Sequence, residues 1–323
     1  MCTAITYKAK DCYFGRNLDL EYAYQESITV TPRNFPLQFR CGQAPNKHYA
    51  MIGVATVAEG YPLYYDAVNE KGLGMAALNF PGNAVYQEET TERLNVSSFE
   101  FIPWILSQCA TVAEAMPLLN RLNIVNIPFS PSFPPTPLHW LLADKDRAVT
   151  IEPLADGIRI YENPVGVLTN NPPFDYHVHN LKNYLNLTRE EPTNRFAPHL
   201  DIVPYSRGMG AFGLPGDLSS ASRFIRAAFT KLNALPGDTE AANISQFFHI
   251  LSAVAQQYGC VKVDDGYEKT VYSSCCNIDK GIYYYTTYEN SQITAVDMQR
   301  EDLNGNTLSI YPFVLTQQIR REN

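Results

Sequence analysis

From Thr3 onward apolar and polar residues alternate in two short runs, TAITYKA and YFGRNLDL, broken at Lys10-Asp11; a third run, SITVTPR, follows. Alternation with a period of two is the pattern of β-strands, and two such runs around a short polar break predict a hairpin. The period changes in SSFEFIPWILSQCATVAEAMPLLNRL, which predicts two helices; the second begins with a capping box, Thr111 followed three residues later by Glu114. NIPFSPSFPPTPLHW then holds five prolines and two phenylalanines and predicts an irregular loop. Strand-like alternation returns in AVTIEPLADGIRIYENPVGVLTNN, with a turn near Asp156-Gly157. SSASRFIRAAFTKLNAL and TEAANISQFFHILSAVAQQYG are amphipathic at the helical period, and TVYSSCCNI, GIYYYTTYEN and QITAVDM are strand-like again. Strands drawn from distant parts of the chain, interleaved with helices, predict sheets covered by helix layers. No internal repeat or linker-like shift interrupts the 323 residues, so a single domain over 1–323 is expected.

Composition narrows the function. Lys plus Arg minus Asp plus Glu is 25 − 33 = −8, which offers no basic footprint for nucleic acid or an anionic membrane. The 21 tyrosines suit a tyrosine-rich sheet, and equally a site for a bulky amphipathic ligand. Seven scattered cysteines without a CxxC indicate neither a disulfide framework nor a zinc site. His177 and His179 in DYHVHN lack accompanying ligands and are expected as a polar strand or turn pair, so no metal or other cofactor is expected. Lys8, Lys10 and Asp11 interrupt any signal-peptide core, and no run approaches the ~18 apolar residues of a membrane span. A cytoplasmic enzyme without membrane insertion is the expectation.

Cys2 stands directly behind the initiator methionine. A hairpin turning at Lys10-Asp11 pairs residues whose numbers sum to 21, which sets Cys2 opposite Asp19; directly opposed Cβ atoms lie about 5 Å apart. Arg16 would then point to the other face, and both could serve one site only if the strand bulged or ended between them, near Gly15 or Asn17. A surface Arg–Asp pair explains the same spacing. If Met1 is removed, Cys2 carries a thiol and a free α-amine, groups whose ordinary pKa values are about 8.5 and about 8. A guanidinium favours thiolate and a carboxylate can orient the amine, so one residue could supply nucleophile and base.

The segments MCTAITY, FGRNLD, EKGLGMAALNFPG, GVLTNNPPFDYH, GLPGDLSSASRF and CCNIDKGIYYYTTYENSQI occur in order and resemble the choloylglycine hydrolase family over essentially the whole chain. The resemblance implies an α+β fold, the four-layer αββα sandwich of N-terminal nucleophile hydrolases, commonly a homotetramer. It implies hydrolysis of glycine- and taurine-conjugated bile salts through a thioester on Cys2, with Arg16, Asp19, Asn79, Asn170 and Arg223 as the family's partners to the nucleophile. An asparagine amide can stabilise the developing oxyanion without changing charge. Arg223 sits in the first turn of a helix, where a cation opposes the helix dipole, which hints at another duty. Leu18, Tyr65, Phe129, Phe133 and Leu138 are candidates for the apolar wall of a steroid pocket. A penicillin V acylase of the same superfamily, and a bile-acid-binding protein with an inert Cys2, are the alternatives; Asn79 favours bile salts over penicillin.

Overall fold

In the computed structural model, which describes residues 1–41, 45 and 47–323, strands are the main regular elements of the first third of the chain. Strands β1 (Cys2–Lys8), β2 (Cys12–Leu20), β3 (Ser27–Thr31), β4 (Met51–Ala58), β5 (Tyr61–Asn69) and β6 (Gly74–Asn79) come first. A short parallel pair, β7 (Leu94–Ser97) and β8 (Leu122–Val125), brackets helices α1 (Phe101–Leu106) and α2 (Val112–Leu119). Strands β9 (Leu138–Ala143), β10 (Ala148–Leu154), β11 (Gly157–Glu162) and β12 (Val167–Leu168) lead to helices α3 (Phe174–Asn180), α4 (Ser220–Asn233) and α5 (Glu240–Ser252). Strands β13 (Val261–Val263), β14 (Gly266–Asn277), β15 (Ile282–Thr287), β16 (Thr294–Asp297) and β17 (Ser309–Pro312) follow.

Two antiparallel sheets are formed. One runs β12-β1-β2-β14-β15-β16, with β13 beside β14; the other runs β11-β10-β9-β6-β5-β4-β3-β17. Helices α4 and α5 pack on the first sheet, α1 on the second, and β1 and β2 face β6 across the middle. The result is the αββα sandwich. Period-two alternation assigns each face of the second sheet to its own core. Ala76, Leu78, Leu141 and Ala143 pack between the sheets, whereas Met75, Ala77, Trp140 and Leu142 pack under α1 and α2. Both faces are largely buried, which is why β6 and β9 are rich in apolar residues at successive positions.

Most predicted elements are present at their expected places. The Thr111 side chain accepts from Glu114 N at 3.1 Å to cap α2, and β10 turns into β11 at Asp156-Gly157. Three expectations need correction. The β1–β2 turn takes in Ala9, Lys10 and Asp11, so paired residues sum to 20 and Cys2 faces Leu18, not Asp19. A loop of three residues, closed by Ala9 N donating to Asp11 O at 2.9 Å, shifts the register by one. No bulge breaks β2 against β1; the irregularity lies in β14, between Thr270 and Tyr272, opposite Leu18 and Asp19. His177 and His179 belong to α3, where Phe174 and His177 are the buried residues at helical i, i+3 spacing.

Candidate active site

Cys2 opens β1 with its residue 99% buried, so its environment is set by strand neighbours rather than solvent. Opposed residues in an antiparallel pair share a face. Cys2 and Ala4, with Leu18 and Arg16 opposite them, therefore look into the space between the sheets, while Thr3, Asn17 and Asp19 look toward α4 and α5. Asn17 Nδ2 donates to Leu251 O on α5 at 3.0 Å, which fixes that direction. Arg16 and Asp19 thus lie on opposite faces of an unbroken strand, and each reaches Cys2 by a different route. Gly15 has no room for a side chain: a Cβ there would meet Ser274 O of the neighbouring β14 at 2.0 Å.

Arg16 is fully buried and donates to Tyr65 O at 3.1 Å and to Ala77 O, carbonyls of the second sheet. Burial opposes its charge, but the Cys2 thiol, Tyr272, Asp66 and Asp19 outweigh this and raise its pKa. On the helix side, Arg223 projects from the first turn of α4 and spends its fork on the start of the chain. Nη1 donates to Cys2 O and, at 2.7 Å, to Thr3 Oγ1; Nη2 donates to Asn170 Oδ1 at 2.7 Å. Asp19 Oδ2 lies 3.9 Å from Arg223 Nη1, and Asp19 Oδ1 accepts from Thr270 Oγ1 at 2.6 Å. Burial pushes the Asp19 carboxyl up, against Arg223, the N-terminal ammonium, Thr270 and Arg16. Its Oδ2 has no hydrogen-bond donor among the described residues.

Asn170 is the hub. Its Oδ1 accepts from Cys2 N at 2.8 Å, its Nδ2 donates to Asn79 O at 2.7 Å, and its own N–H donates to Ser220 Oγ at 2.8 Å. The neighbouring Asn171 instead donates to Pro81 O, away from Cys2. The six candidates Cys2, Arg16, Asp19, Asn79, Asn170 and Arg223 are therefore brought to one place from β1, β2, the end of β6, the end of β12 and α4. Met1, still attached, directs its ammonium to Asp19 O at 2.6 Å and to the buried carboxylate of Glu268.

The Cys2 side chain borders a cavity of about 400 Å³, shared with Arg16 and Asn79. Leu18, Tyr65, Phe129, Phe133 and Leu138 line the same cavity. Phe129 is packed against Phe99, Tyr61 and Phe133 at centroid distances of 5.4, 5.8 and 6.0 Å. Tyr65 is turned by a hydrogen bond of 2.9 Å with Thr56 Oγ1. A cavity of similar size, about 420 Å³, opens at the turn end of the β1–β2 hairpin around Lys8, Asp144 and Lys231, and contains none of the six candidates.

An amide-holding cysteine site at the first residue of a buried strand is a specific arrangement, and comparison with known proteins agrees with it. Residues 2–311 match the family described as linear amide C–N hydrolases, choloylglycine hydrolase family. The chain belongs to the choloylglycine hydrolase family. It is 54% identical over 313 residues to a bile salt hydrolase/transferase of Lactiplantibacillus plantarum, covering 97% of each chain. It is 39% identical to a bile salt hydrolase/transferase of Clostridium perfringens, covering 100% of each. The solved conjugated bile acid hydrolase from Clostridium perfringens superposes with a TM-score of 0.92 at 38% identity, over 100% of both chains. Penicillin V acylase from Agrobacterium tumefaciens shares the fold with a TM-score of 0.74 at 21% identity, over 96% of this chain and 90% of that one.

This choloylglycine hydrolase also holds residues around the site that the sequence did not single out. Thr270 and Tyr272 serve opposite faces because the β14 irregularity separates them; Thr270 bonds Asp19, and Tyr272 OH donates to Asp66 at 2.5 Å. Nothing in the tail's alternation marks that irregularity. Asp66 stands as an acid within the apolar run YPLYYDAVN, and its burial and tyrosine partners emerge only in the folded chain.

Proposed function

We propose that the chain hydrolyses the amide bond of glycine- and taurine-conjugated bile salts, with Cys2, freed by loss of Met1, as nucleophile and base. The single observation that carries this reading is the geometry of the Cys2 nitrogen. It is held by Asn170 Oδ1 at 2.8 Å, while the residue's side chain faces an apolar cavity beside a buried guanidinium. As a free amine, that nitrogen takes the thiol proton; sulfur attacks the scissile carbonyl and negative charge gathers on its oxygen. Asn79, whose backbone carbonyl is occupied by Asn170, has its side-chain amide available for that oxygen. The α-ammonium is shared between Asn170 Oδ1 and Asp19 Oδ2, which accepts no hydrogen bond among the described residues, and it returns the proton to the departing glycine or taurine nitrogen. Water then enters, is deprotonated by the same amine, and cleaves the thioester to release bile acid.

The apolar wall of Leu18, Phe129, Phe133 and Leu138, with Tyr65, suits a steroid body, and the relatives' designation as bile salt hydrolases supports the substrate class. Seven free cysteines suit a reducing compartment, and we propose the cytoplasm; among the described residues no helix is long and apolar enough to cross a membrane. Self-association as a homotetramer is supported by apolar side chains left in solvent along residues 185–212, Phe196 at 91% exposure among them. The test is amino-acid release from glycocholate and taurocholate alongside cleavage of penicillin V. Bile salts should be turned over far faster; a folded enzyme preferring penicillin V would overturn the substrate and leave the mechanism.

A further inference from the structure

Two histidines outside the six candidates grip the segment that carries Asn170. His139 on β9 is fully buried, with Nδ1 3.0 Å from Glu152 Oε1 and Nε2 2.9 Å from Thr169 O. His177 on α3 is equally buried, with Nε2 2.9 Å from Asn170 O. A carbonyl oxygen only accepts, so each imidazole must carry a proton on Nε2. Nδ1 of His177 has no partner among the described residues, so this ring is the neutral Nε2–H tautomer.

Residues 169 and 170 lie just beyond β12, where the sheet ladder stops, so their carbonyls would otherwise be buried without the donors a strand supplies. The two rings fill that gap from opposite layers, one from a strand and one from a helix. Each is also stacked on an aromatic ring. His139 lies on Phe80 at 4.2 Å between centroids and 6° between planes, and His177 on Phe224 at 4.8 Å and 21°. Phe80 follows Asn79 in the chain and Phe224 follows Arg223. The two imidazoles therefore join the 169–170 backbone to the side chains that follow Asn79 and Arg223 in the chain.

We propose that His139 and His177 are positioning residues for the Cys2 chemistry: they hold the 169–170 backbone where Asn170 Oδ1 meets the Cys2 nitrogen and Asn170 Nδ2 meets Asn79 O. The proposal rests on the reading above, in which that nitrogen is the base. It also explains why two buried imidazoles stand where apolar residues would fill the same volume without needing partners.

His177→Phe keeps a stacking ring and removes the donor; His177→Gln returns an N–H near the position of Nε2. The experiment measures kcat and KM for glycine release from glycocholate, and the rate of Cys2 alkylation by iodoacetamide, which needs no substrate. A misplacement of about 1 Å can cost about 100-fold in rate, so His177→Phe should lower kcat by about 10- to 100-fold with KM nearly unchanged. It should also slow alkylation, and His177→Gln should recover most of both. Phe224→Leu, which removes the ring beneath His177 and keeps the donor, should show a smaller loss of kcat and supplies the comparison if the phenylalanine variant does not fold; parental kcat there would then overturn the proposal. Parental kcat and alkylation in His177→Phe, or a glutamine variant no better than phenylalanine, would overturn it too. If the parent enzyme does not cleave glycocholate, the bile-salt reading fails, and the alkylation rates of the same variants still decide the positioning role.

Discussion

Replacing Arg16 by leucine should injure the protein in two separable ways. The guanidinium is fully buried, tied to Tyr65 O at 3.1 Å and to Ala77 O, and it stands between the Cys2 thiol and Asp66. Asp66 is itself buried, accepts from Tyr272 and Tyr283 hydroxyls, and is pushed up by burial with Arg16 the largest influence opposing that rise. Leucine leaves the Tyr65 and Ala77 carbonyls without their buried donor, at about 1–3 kcal/mol for each unsatisfied group, and removes the largest influence that opposes the rise at Asp66. Arg16→Leu should therefore lose a few kcal/mol in urea unfolding, and adding Asp66→Asn should restore the part that comes from the Asp66 charge. Reactivity should not follow stability. A guanidinium beside a thiol makes it the more reactive nucleophile, so Cys2 alkylation at pH 7 should slow in both the single and the double variant. A folded Arg16→Leu enzyme alkylated as fast as its parent would refute the link between this guanidinium and the thiol.

Asn79→Ala leaves the carbonyl that Asn170 uses and deletes only the amide; kcat on glycocholate should fall by about 10²–10³ with little change in KM, and an unaltered kcat would remove Asn79 from the oxyanion role. Burial lowers the His177 pKa to about 4, against an ordinary value near 6.5. As pH falls from 6.5 toward 4 the unfolded chain binds this proton and the folded one does not, so stability present above pH 6.5 is lost, by about 3 kcal/mol in all. Urea unfolding at several pH values should show a steeper acid loss in the parent than in His177→Gln; identical slopes would contradict the buried neutral ring.

Much of the architecture was written in local patterns. The capping box at Thr111, the amphipathic α4 and α5, and the hairpin at the start each depend on neighbours in sequence, where propensity and period operate. Register did not survive the same reading, because one residue more in the Ala9–Asp11 turn moves every opposed pair and the alternation itself is indifferent to the shift. Cys2, Arg16 and Asp19 stood out by position and charge near the start, whereas Asn79, Asn170 and Arg223 came only from ordered family motifs, and no spacing rule links Asn170 to Cys2 across 168 positions. His139 and Asp66 stayed hidden for the same reason, and His177 was legible only as one of a polar pair. Their partners are Thr169 O, Asn170 O and the tyrosines of β14 and β15, contacts made only when sheets and helices stack.

In the chain that keeps Met1, the ammonium sits at Glu268 and the Asp19 carbonyl, and the Cys2 nitrogen is an amide that cannot act as a base. Glycine release from glycocholate should therefore be measured on protein whose intact mass shows an uncleaved residue before Cys2, beside protein whose mass corresponds to residues 2–323. The second should be active and the first inert, although both fold. Full activity from the uncleaved chain would contradict Cys2 as its own base.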